Sequence, residues 1–279
     1  MTEYAYAKIN LSLDVVCRRD DGYHDVNMIM QSLELNDTVE AELTDGGIEV
    51  TCDSASVPCG KGNIAYRAAR LMIDKCGRDC GVRIHIKKRI PVCAGLAGGS
   101  ADGAAVIRLM NALLGANFDS ATLESVAAAV GSDVPFCING GTALAFGTGT
   151  QIKSLPSFGS HIVLLVKPPI DVPTPWVYKN LKLGEVVHPD IDGFISALER
   201  NDADSALATS GNVLESVTIS KYPIIENIKS EMINNGAKFA MMSGSGPTVF
   251  GIFENKGDAE NAARFFKKSY DEVIVTKTV

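Results

Sequence analysis

The sequence predicts an α+β fold with two domains. Patterns typical of strands and of helices are mixed along the 279 residues, without the regular alternation that a doubly wound parallel sheet requires. A segment rich in small and turn-forming residues, GTGTQIKSLPSFGS at 147–160, interrupts these patterns near the middle of the chain. We therefore expect an N-terminal domain at 1–155 and a C-terminal domain at 156–279.

The first predicted domain begins with strands. Polar and apolar residues alternate strictly in KINLSLDV at 8–15, which predicts a half-buried strand. Further strand patterns follow at 28–35 and 39–43, and residues 63–77 predict a helix capped by Asn63. The remaining predicted elements of this half are a strand at 82–90, a helix to about Leu114, a helix at 121–130 and a strand at 142–146.

The second predicted domain contains more helix than strand. It begins with a strand pattern at 161–166, and KFAMMSGSGPTVFGIF at 238–253 predicts a hairpin around a turn of glycine and serine. The predicted helices are 191–200, 202–216, 223–235 and 257–268, and a strand at 272–276 follows them.

Composition and charge restrict the class of protein. The net charge of −7 and the pI of about 5.2 argue against nucleic acid or an anionic membrane surface as the main partner. No window reaches the ~18 consecutive apolar residues of a membrane helix, and no signal peptide is evident. The seven cysteines are scattered and form no CxxC pair, which favours reduced thiols over disulfides or a zinc site. We expect a cytoplasmic protein with a small-molecule ligand and no evident protein partner.

The segment PVCAGLAGGSADGAA at 91–105 contains the clearest functional signal. Small side chains let the backbone approach an anion closely, and the start of a helix adds partial positive charge. The segment is not a Walker A loop, because Ser100 and not lysine follows Gly99, and the GxGxxG spacing fails at Ala97. From this stretch alone, a phosphate-binding loop and a tight turn without a ligand both stay open.

Two further segments extend this signal to most of the chain. AKINLSLDVVCRRDDGYH near the N-terminus, the 91–105 segment and MMSGSGPTVFGIF at 241–253 together resemble the GHMP kinase superfamily of small-molecule kinases. The loop matches the family pattern through Pro91, Gly95, Leu96, Gly98, Gly99 and Ser100. AKINLSL, RRDDGYH, GSDVPF and PTPWVY further resemble the members that phosphorylate the 2-hydroxyl of a cytidine diphosphate-linked methylerythritol. The resemblance implies a two-domain kinase with its cleft between the domains, ATP as phosphoryl donor and Mg²⁺ as cofactor.

The resemblance also implies two catalytic residues. Lys8 and Asp133 are expected to meet at the reacting hydroxyl, where Asp133 accepts its proton and Lys8 orients it and offsets developing charge. Asn10, on the same strand face as Lys8, is expected to bind the substrate. Taken one by one, a solvated strand face explains Lys8 and Asn10, and a turn explains Asp133. A carboxylate is too weak a base to hold an alcohol proton in the ground state, so the proton should move late in phosphoryl transfer.

The remaining expected contacts divide between the cytidine and ATP. Tyr23 is expected to stack on the cytosine, His24 to hydrogen-bond its edge, and Tyr178 to close the other face, with Thr174 nearby and Trp176 lining the pocket. Asn63 and Lys88 are expected to contact the adenine or ribose of ATP. The expected ATP-binding residues of the loop are Pro91, Ala94, Gly95, Leu96, Ala97, Gly98, Gly99 and Ser100. Ser100 is expected to lie near Mg²⁺, whose ligands the sequence does not identify.

Two alternatives differ in what they require. Another kinase of the superfamily, acting on homoserine, mevalonate or a sugar, would keep the loop and the pair Lys8 and Asp133. Its substrate, however, would carry no base to stack on Tyr23. A nucleotide-binding regulator without turnover would need neither Lys8 nor Asp133.

Overall fold

The computed structural model describes all 279 residues, which form two β-sheets flanked by helices. The first sheet has the strand order β3-β4-β2-β5-β6, with β1 paired to β2, and only the β3–β4 pair is parallel. Its strands are β1 (Thr2–Arg18), β2 (His24–Thr44), β3 (Ile48–Cys52), β4 (Gly81–Lys87), β5 (Thr142–Gly147) and β6 (Gln151–Ser154).

Helices cover one face of this sheet. They are α1 (Ile64–Cys76), α2 (Gly98–Leu113), α3 (Ser120–Val130) and α4 (Val134–Asn139). Apolar residues of β2, β3 and β4, such as Val39 and Ile84, pack against alanines and other apolar side chains of α1 and α2 to form the first core. Asn63 caps α1 as predicted, since its Oδ1 accepts a hydrogen bond from the Ala65 N–H at 2.8 Å.

The second sheet is antiparallel throughout, in the order β10-β7-β9-β8. Its strands are β7 (Ile162–Lys167), β8 (Phe239–Met242), β9 (Val249–Phe253) and β10 (Glu272–Lys277). The helices of this half are α5 (Thr174–Asn180), α6 (Ile191–Glu199), α7 (Ala203–Ala208), α8 (Glu215–Lys221), α9 (Ile224–Asn234) and α10 (Lys256–Phe266). None of the helices combines the length and the apolar character needed to cross a membrane.

The two sheets share two further cores. Met30 of β2 and Val249 of β9 belong to one of them, and Ile9 of β1 and Phe250 of β9 belong to the other. Residues 155–161 connect the sheets along the chain. Because two cores join the sheets, the division into domains at 1–155 and 156–279 stays a prediction.

The first two strands differ from their predicted form. The patterns at 28–35 and 39–43 belong to one continuous strand, β2. The 8–15 pattern lies inside β1, but the strand is not half-buried as predicted: its polar residues Lys8, Asn10 and Ser12 are at most 4% exposed. The second half of the chain covers part of this polar face, where the Ser12 hydroxyl donates to the carbonyl of Gly211 at 3.2 Å.

The predicted helix at 202–216 was wrong. It is divided into α7 and α8, and residues 209–214 leave the helical conformation to run beside β1. There the N–H of Val213 donates to the carbonyl of Leu13 at 3.1 Å. This tertiary pairing with a buried strand outweighs the local helical preference. The short elements β3, β6, α4 and α5 were not predicted.

Candidate active site

One large cavity lies where β1, the 91–100 loop, α5 and the 243–246 turn meet. Its volume is about 1100 Å³, which is slightly above the usual range for a single small-molecule site and leaves room for two ligands. Every predicted site residue except Leu96 and Trp176 lines this cavity. Leu96 instead points into an apolar core with 1% of its surface exposed, so its side chain anchors the loop.

Lys8 and Asp133 meet in the wall of the cavity. The Lys8 ammonium lies 3.6 Å from Asp133 Oδ2 and donates a hydrogen bond to Asn10 Oδ1 at 2.7 Å. Lys8 is 4% exposed and the Asp133 side chain is 32% exposed, so the carboxylate is the member of the pair that faces the open cavity. Asn10 holds the ammonium in place, which leaves Asp133 free to contact a ligand.

The position of Asp133 follows from the start of α4. Asp133 precedes this helix at the N-cap position, but its side chain accepts no capping hydrogen bond from the helix. Pro135, in the first turn, has no backbone N–H that could compete for the carboxylate. An aspartate that would ordinarily cap the helix therefore points towards Lys8 instead.

The 91–100 loop is braced from both halves of the chain. The N–H of Lys8 donates to the carbonyl of Leu96 at 3.1 Å, and the Ser243 hydroxyl donates to the carbonyl of Gly95 at 3.0 Å. Gly95 has φ +74°, and a Cβ there would lie 2.3 Å from the carbonyl oxygen of Ser243. Only glycine fits this crossing of two backbones.

The loop leads into the N-terminus of α2. Gly98, Gly99 and Ser100 form the first turn of this 16-residue helix and line the cavity, and Ala97 precedes it in the left-handed conformation with φ +55°. The first N–H groups of a helix have no partner within it and carry the positive end of its dipole. This end of the cavity can therefore hold an anion such as a phosphate.

The aromatic residues of the cavity come from the turn before β2, from the first residue of β2 and from α5. The rings of His24 and Tyr178 are tilted against each other with 5.2 Å between centroids, and Tyr23 is 63% exposed on the adjoining turn. Partial burial, with a contribution from nearby Arg18, lowers the pKa of His24, so its ring is neutral near pH 7 and can both donate and accept a hydrogen bond. Burial raises the pKa of Tyr178, whose hydroxyl stays protonated.

Helix α5 explains why Trp176 does not line the cavity, contrary to the prediction. Thr174 and Tyr178 are four residues apart and share one helix face, whereas Trp176 lies between them on another. The Thr174 hydroxyl lies 2.7 Å from the Ser245 hydroxyl. The ring of Trp176 packs under the Lys221 ammonium at 4.2 Å.

The side chains of Asn63 and Lys88 already have partners within the protein. Asn63 Oδ1 caps α1, and its Nδ2 donates to the carbonyl of Pro58 at 2.7 Å. The Lys88 ammonium is paired with the carboxylates of Asp37 and Asp102. Both residues line the cavity, and their predicted contacts with adenine or ribose stay predictions.

Asp37 and Asp102 were not singled out in the sequence. Asp37 is fully buried within β2, and Asp102 is 3% exposed in the first turns of α2. Burial raises the pKa of Asp102 to about 7, although the charge of Lys88 opposes this shift. One signal for this cluster was available in the sequence. In the alternating segment SLELNDTVEAEL, Asp37 occupies a position on the apolar face of the strand, where a charged residue is unusual.

Comparison with known proteins agrees with this geometry. Residues 63–141 match the family model described as GHMP kinases N terminal domain, and residues 182–272 match GHMP kinases C terminal, which together span more than half of the chain. A 4-diphosphocytidyl-2-C-methyl-D-erythritol kinase of Acetivibrio thermocellus is 52% identical over 276 residues, covering 99% of this chain and 98% of that protein. A protein of the same name from Clostridium botulinum strain Langeland is 43% identical over 280 residues, covering 100% of both chains.

Solved structures of kinases are similar to this chain over its whole length. A crystal structure of 4-(cytidine 5'-diphospho)-2C-methyl-D-erythritol kinase has a TM-score of 0.84 and 31% identity, covering 100% of this chain and 99% of that chain. A homoserine kinase of Cytophaga hutchinsonii has a TM-score of 0.78 at 19% identity, covering 100% and 94%, and shows the shared fold alone. The chain therefore belongs to the GHMP kinase family, in the group whose members are named 4-diphosphocytidyl-2-C-methyl-D-erythritol kinases.

Proposed function

We propose that this protein transfers the γ-phosphoryl group of ATP to the 2-hydroxyl of 4-diphosphocytidyl-2-C-methyl-D-erythritol, a step of the non-mevalonate route to isoprenoids. The observation that carries the proposal is the pairing of Lys8 with Asp133 at 3.6 Å, in the same cavity as the 91–100 loop. The names of the relatives at 52% and 43% identity support the choice of substrate. Two small-molecule substrates and no nucleic acid or membrane fit the cytoplasmic location expected from the sequence.

The acceptor hydroxyl is proposed to bind between Lys8 and Asp133. Asp133 accepts its proton as the attacking oxygen becomes acidic in the loose transition state, and such assistance contributes about 10²–10⁴ in rate. Lys8, which Asn10 holds in place, orients the hydroxyl and offsets charge on the transferring group. Because phosphoryl transfer depends mainly on positioning and electrostatics, the backbone N–H groups at the start of α2 are proposed to supply the larger share of catalysis.

The cytidine is proposed to bind against the aromatic residues of the cavity. Tyr23 and Tyr178 both line the cavity, and each can offer a ring face to a base. The neutral His24 can donate to and accept from the cytosine edge. Stacking on an aromatic side chain contributes about 1–3 kcal/mol per base, which is enough to favour an acceptor that carries cytidine.

The donors present fit a Mg²⁺ ion that arrives on the phosphates of ATP. No three His, Cys, Asp or Glu side chains are grouped to hold a metal ion by themselves, and magnesium in kinases is bound largely by phosphate oxygens. Ser100 is half-buried in the cavity beside the helix start, and its hydroxyl would hold the ion. When bound, Mg²⁺ offsets the negative charge of the phosphates.

The test is ADP release by the purified protein with Mg-ATP and one of three acceptors. We expect turnover with 4-diphosphocytidyl-2-C-methyl-D-erythritol and none with homoserine or mevalonate. Turnover with either of the other acceptors would keep the loop and the pair of Lys8 with Asp133 but remove the cytidine assignment. Absence of turnover with all three, while ATP still binds, would favour the regulator.

A further inference from the structure

A buried ion cluster lies directly behind the 91–100 loop. The Lys88 ammonium contacts Asp102 Oδ2 at 2.9 Å and also contacts Asp37 Oδ2. The three side chains belong to different parts of the fold, since Asp37 is in β2, Lys88 follows β4 and Asp102 is in α2. Their side chains are 8% exposed for Lys88, 0% for Asp37 and 4% for Asp102. The cluster therefore ties the sheet to the helix that follows the loop.

The entry to the loop is fixed by Asp37. Its Oδ1 accepts hydrogen bonds from the backbone N–H groups of Arg89 and of Ile90, the latter at 2.8 Å. These two residues immediately precede Pro91. A fully buried carboxylate in the sheet thus determines the direction in which the chain enters the loop.

The exit from the loop is fixed by Lys88 and Asp102. Asp102 lies four residues after Gly98, on the same face of α2. A Cβ built on Gly98 would lie 3.2 Å from the Lys88 ammonium, so the ammonium packs against the first residue of the helix. Asp102 Oδ1 has no hydrogen-bond partner, which leaves Lys88 as the group that holds this carboxylate.

These contacts argue against Lys88 as a direct ligand of adenine or ribose. Moving the ammonium towards a ligand would leave two buried carboxylates without their cation, and breaking a buried pair in this way is strongly unfavourable. The ammonium can instead act where it is, by keeping the first turn of α2 at a fixed distance from the sheet.

We propose that Lys88 is a positioning residue. Held between Asp37 and Asp102, its ammonium fixes the position of the backbone N–H groups that bind the phosphates of ATP. This inference rests on the proposed ATP-binding role of the loop. Phosphate groups bound by backbone N–H groups need those groups prearranged, because donors that must be ordered on binding give weaker binding.

The first test measures amide hydrogen exchange of the protein without ligand. In Lys88→Met we expect exchange in residues 92–101 to be at least about tenfold faster than in the wild type, with no change in the second sheet. Lys87→Met is the matched control, because Lys87 is the preceding lysine, is 51% exposed and pairs with Glu40 at the surface. A residue that merely contacted the nucleotide would leave exchange in the ligand-free loop unchanged, and this result would overturn the proposal.

The second test compares binding of ADP with binding of adenosine, by competition against a fluorescent adenine nucleotide. In Lys88→Met, ADP should bind at least about tenfold more weakly, while adenosine should change by less than about threefold. Equal weakening of both ligands would place Lys88 on the adenosine part and overturn the proposal. The wild-type protein alone tests the phosphate-binding role of the loop. If it binds ADP no more tightly than adenosine, that role is wrong, whatever the Lys88 variant shows.

Asp102→Asn keeps the test decisive if Lys88→Met does not fold. Lys88 then retains Asp37, so the entry to the loop stays fixed and only its exit at 98–101 is released. We expect faster exchange at 98–101 and unchanged exchange at Arg89 and Ile90, with the same preferential loss of ADP binding. Uniformly faster exchange throughout the protein would instead indicate a general stabilising role and contradict positioning.

Discussion

Replacing Gly95 by alanine should destabilise the protein strongly, because two independent penalties meet at this residue. Its φ of +74° is a conformation that costs a residue with a Cβ about 1–2 kcal/mol. The new Cβ would also lie 2.3 Å from the Ser243 carbonyl oxygen, which belongs to backbone and cannot rotate away. Overpacking of this kind costs about 1–3 kcal/mol, so we expect the free energy of unfolding to fall by about 2–5 kcal/mol.

The assay is thermal unfolding by calorimetry, with Gly99→Ala as the matched control. For a chain of this length, the expected loss corresponds to a Tm lower by about 3–8 °C. Gly99 lies in the same loop-to-helix segment, but a Cβ there would meet only Ile64 Cδ1 at 3.4 Å, an ordinary contact. Gly99→Ala should therefore keep the wild-type Tm or raise it slightly, since alanine favours helix. Equal Tm values for the two variants would refute the crossing of the loop with the 243–246 turn.

Three further variants test the proposed chemistry and the electrostatics. Asp133→Asn should lower kcat by at least ~10² and change ATP binding only a few-fold, and unchanged turnover would remove it as the base. Tyr23→Ala should raise KM for the cytidine substrate about tenfold with kcat preserved. Tyr4 is an exposed aromatic residue of β1 outside the cavity, so Tyr4→Ala should have no effect. Equal KM values in the two variants would contradict stacking. The hydrogen bond with Asp14 raises the pKa of His188, so their interaction stabilises the fold fully below about pH 6.5 and is lost as pH rises through the raised value. The Tm difference between wild type and His188→Gln should accordingly shrink above neutral pH, and a difference that is constant with pH would count against this pair.

Elements with a local signal could be predicted from the sequence, whereas elements fixed by distant partners could not. The helix after Asn63 carries its own cap, and the start of α2 follows from the glycines before it. Residues 209–214 have helical neighbours, but their backbone pairs with β1, which lies about 200 residues earlier in the chain. No local pattern contains that information.

The site shows the same division. The residues of the cavity could be listed from motifs, because a motif records which residue types the chemistry needs. Their partners could not be listed in this way: the buried pairing of Lys88 with Asp37 and Asp102 joins positions 51 and 14 residues apart through the fold. The position of Trp176 was predicted wrongly because the prolines in PTPWVY do not suggest a helix, although α5 begins there. In a helix, Trp176 lies on a different face from Thr174 and Tyr178, whereas in an extended segment all three would share one face.

The two cores shared by the sheets have a consequence for how the cavity can open. Proteins whose halves have separate cores can widen the cleft between them by rotation about a hinge. Rotation here would pull Met30 away from Val249 and expose both to water, at about 25 cal/mol for each Å² of apolar surface. We therefore expect substrates to enter past the exposed segments that line the cavity, which are the turn at 19–23, the loop at 56–62 and the start of the segment 181–190.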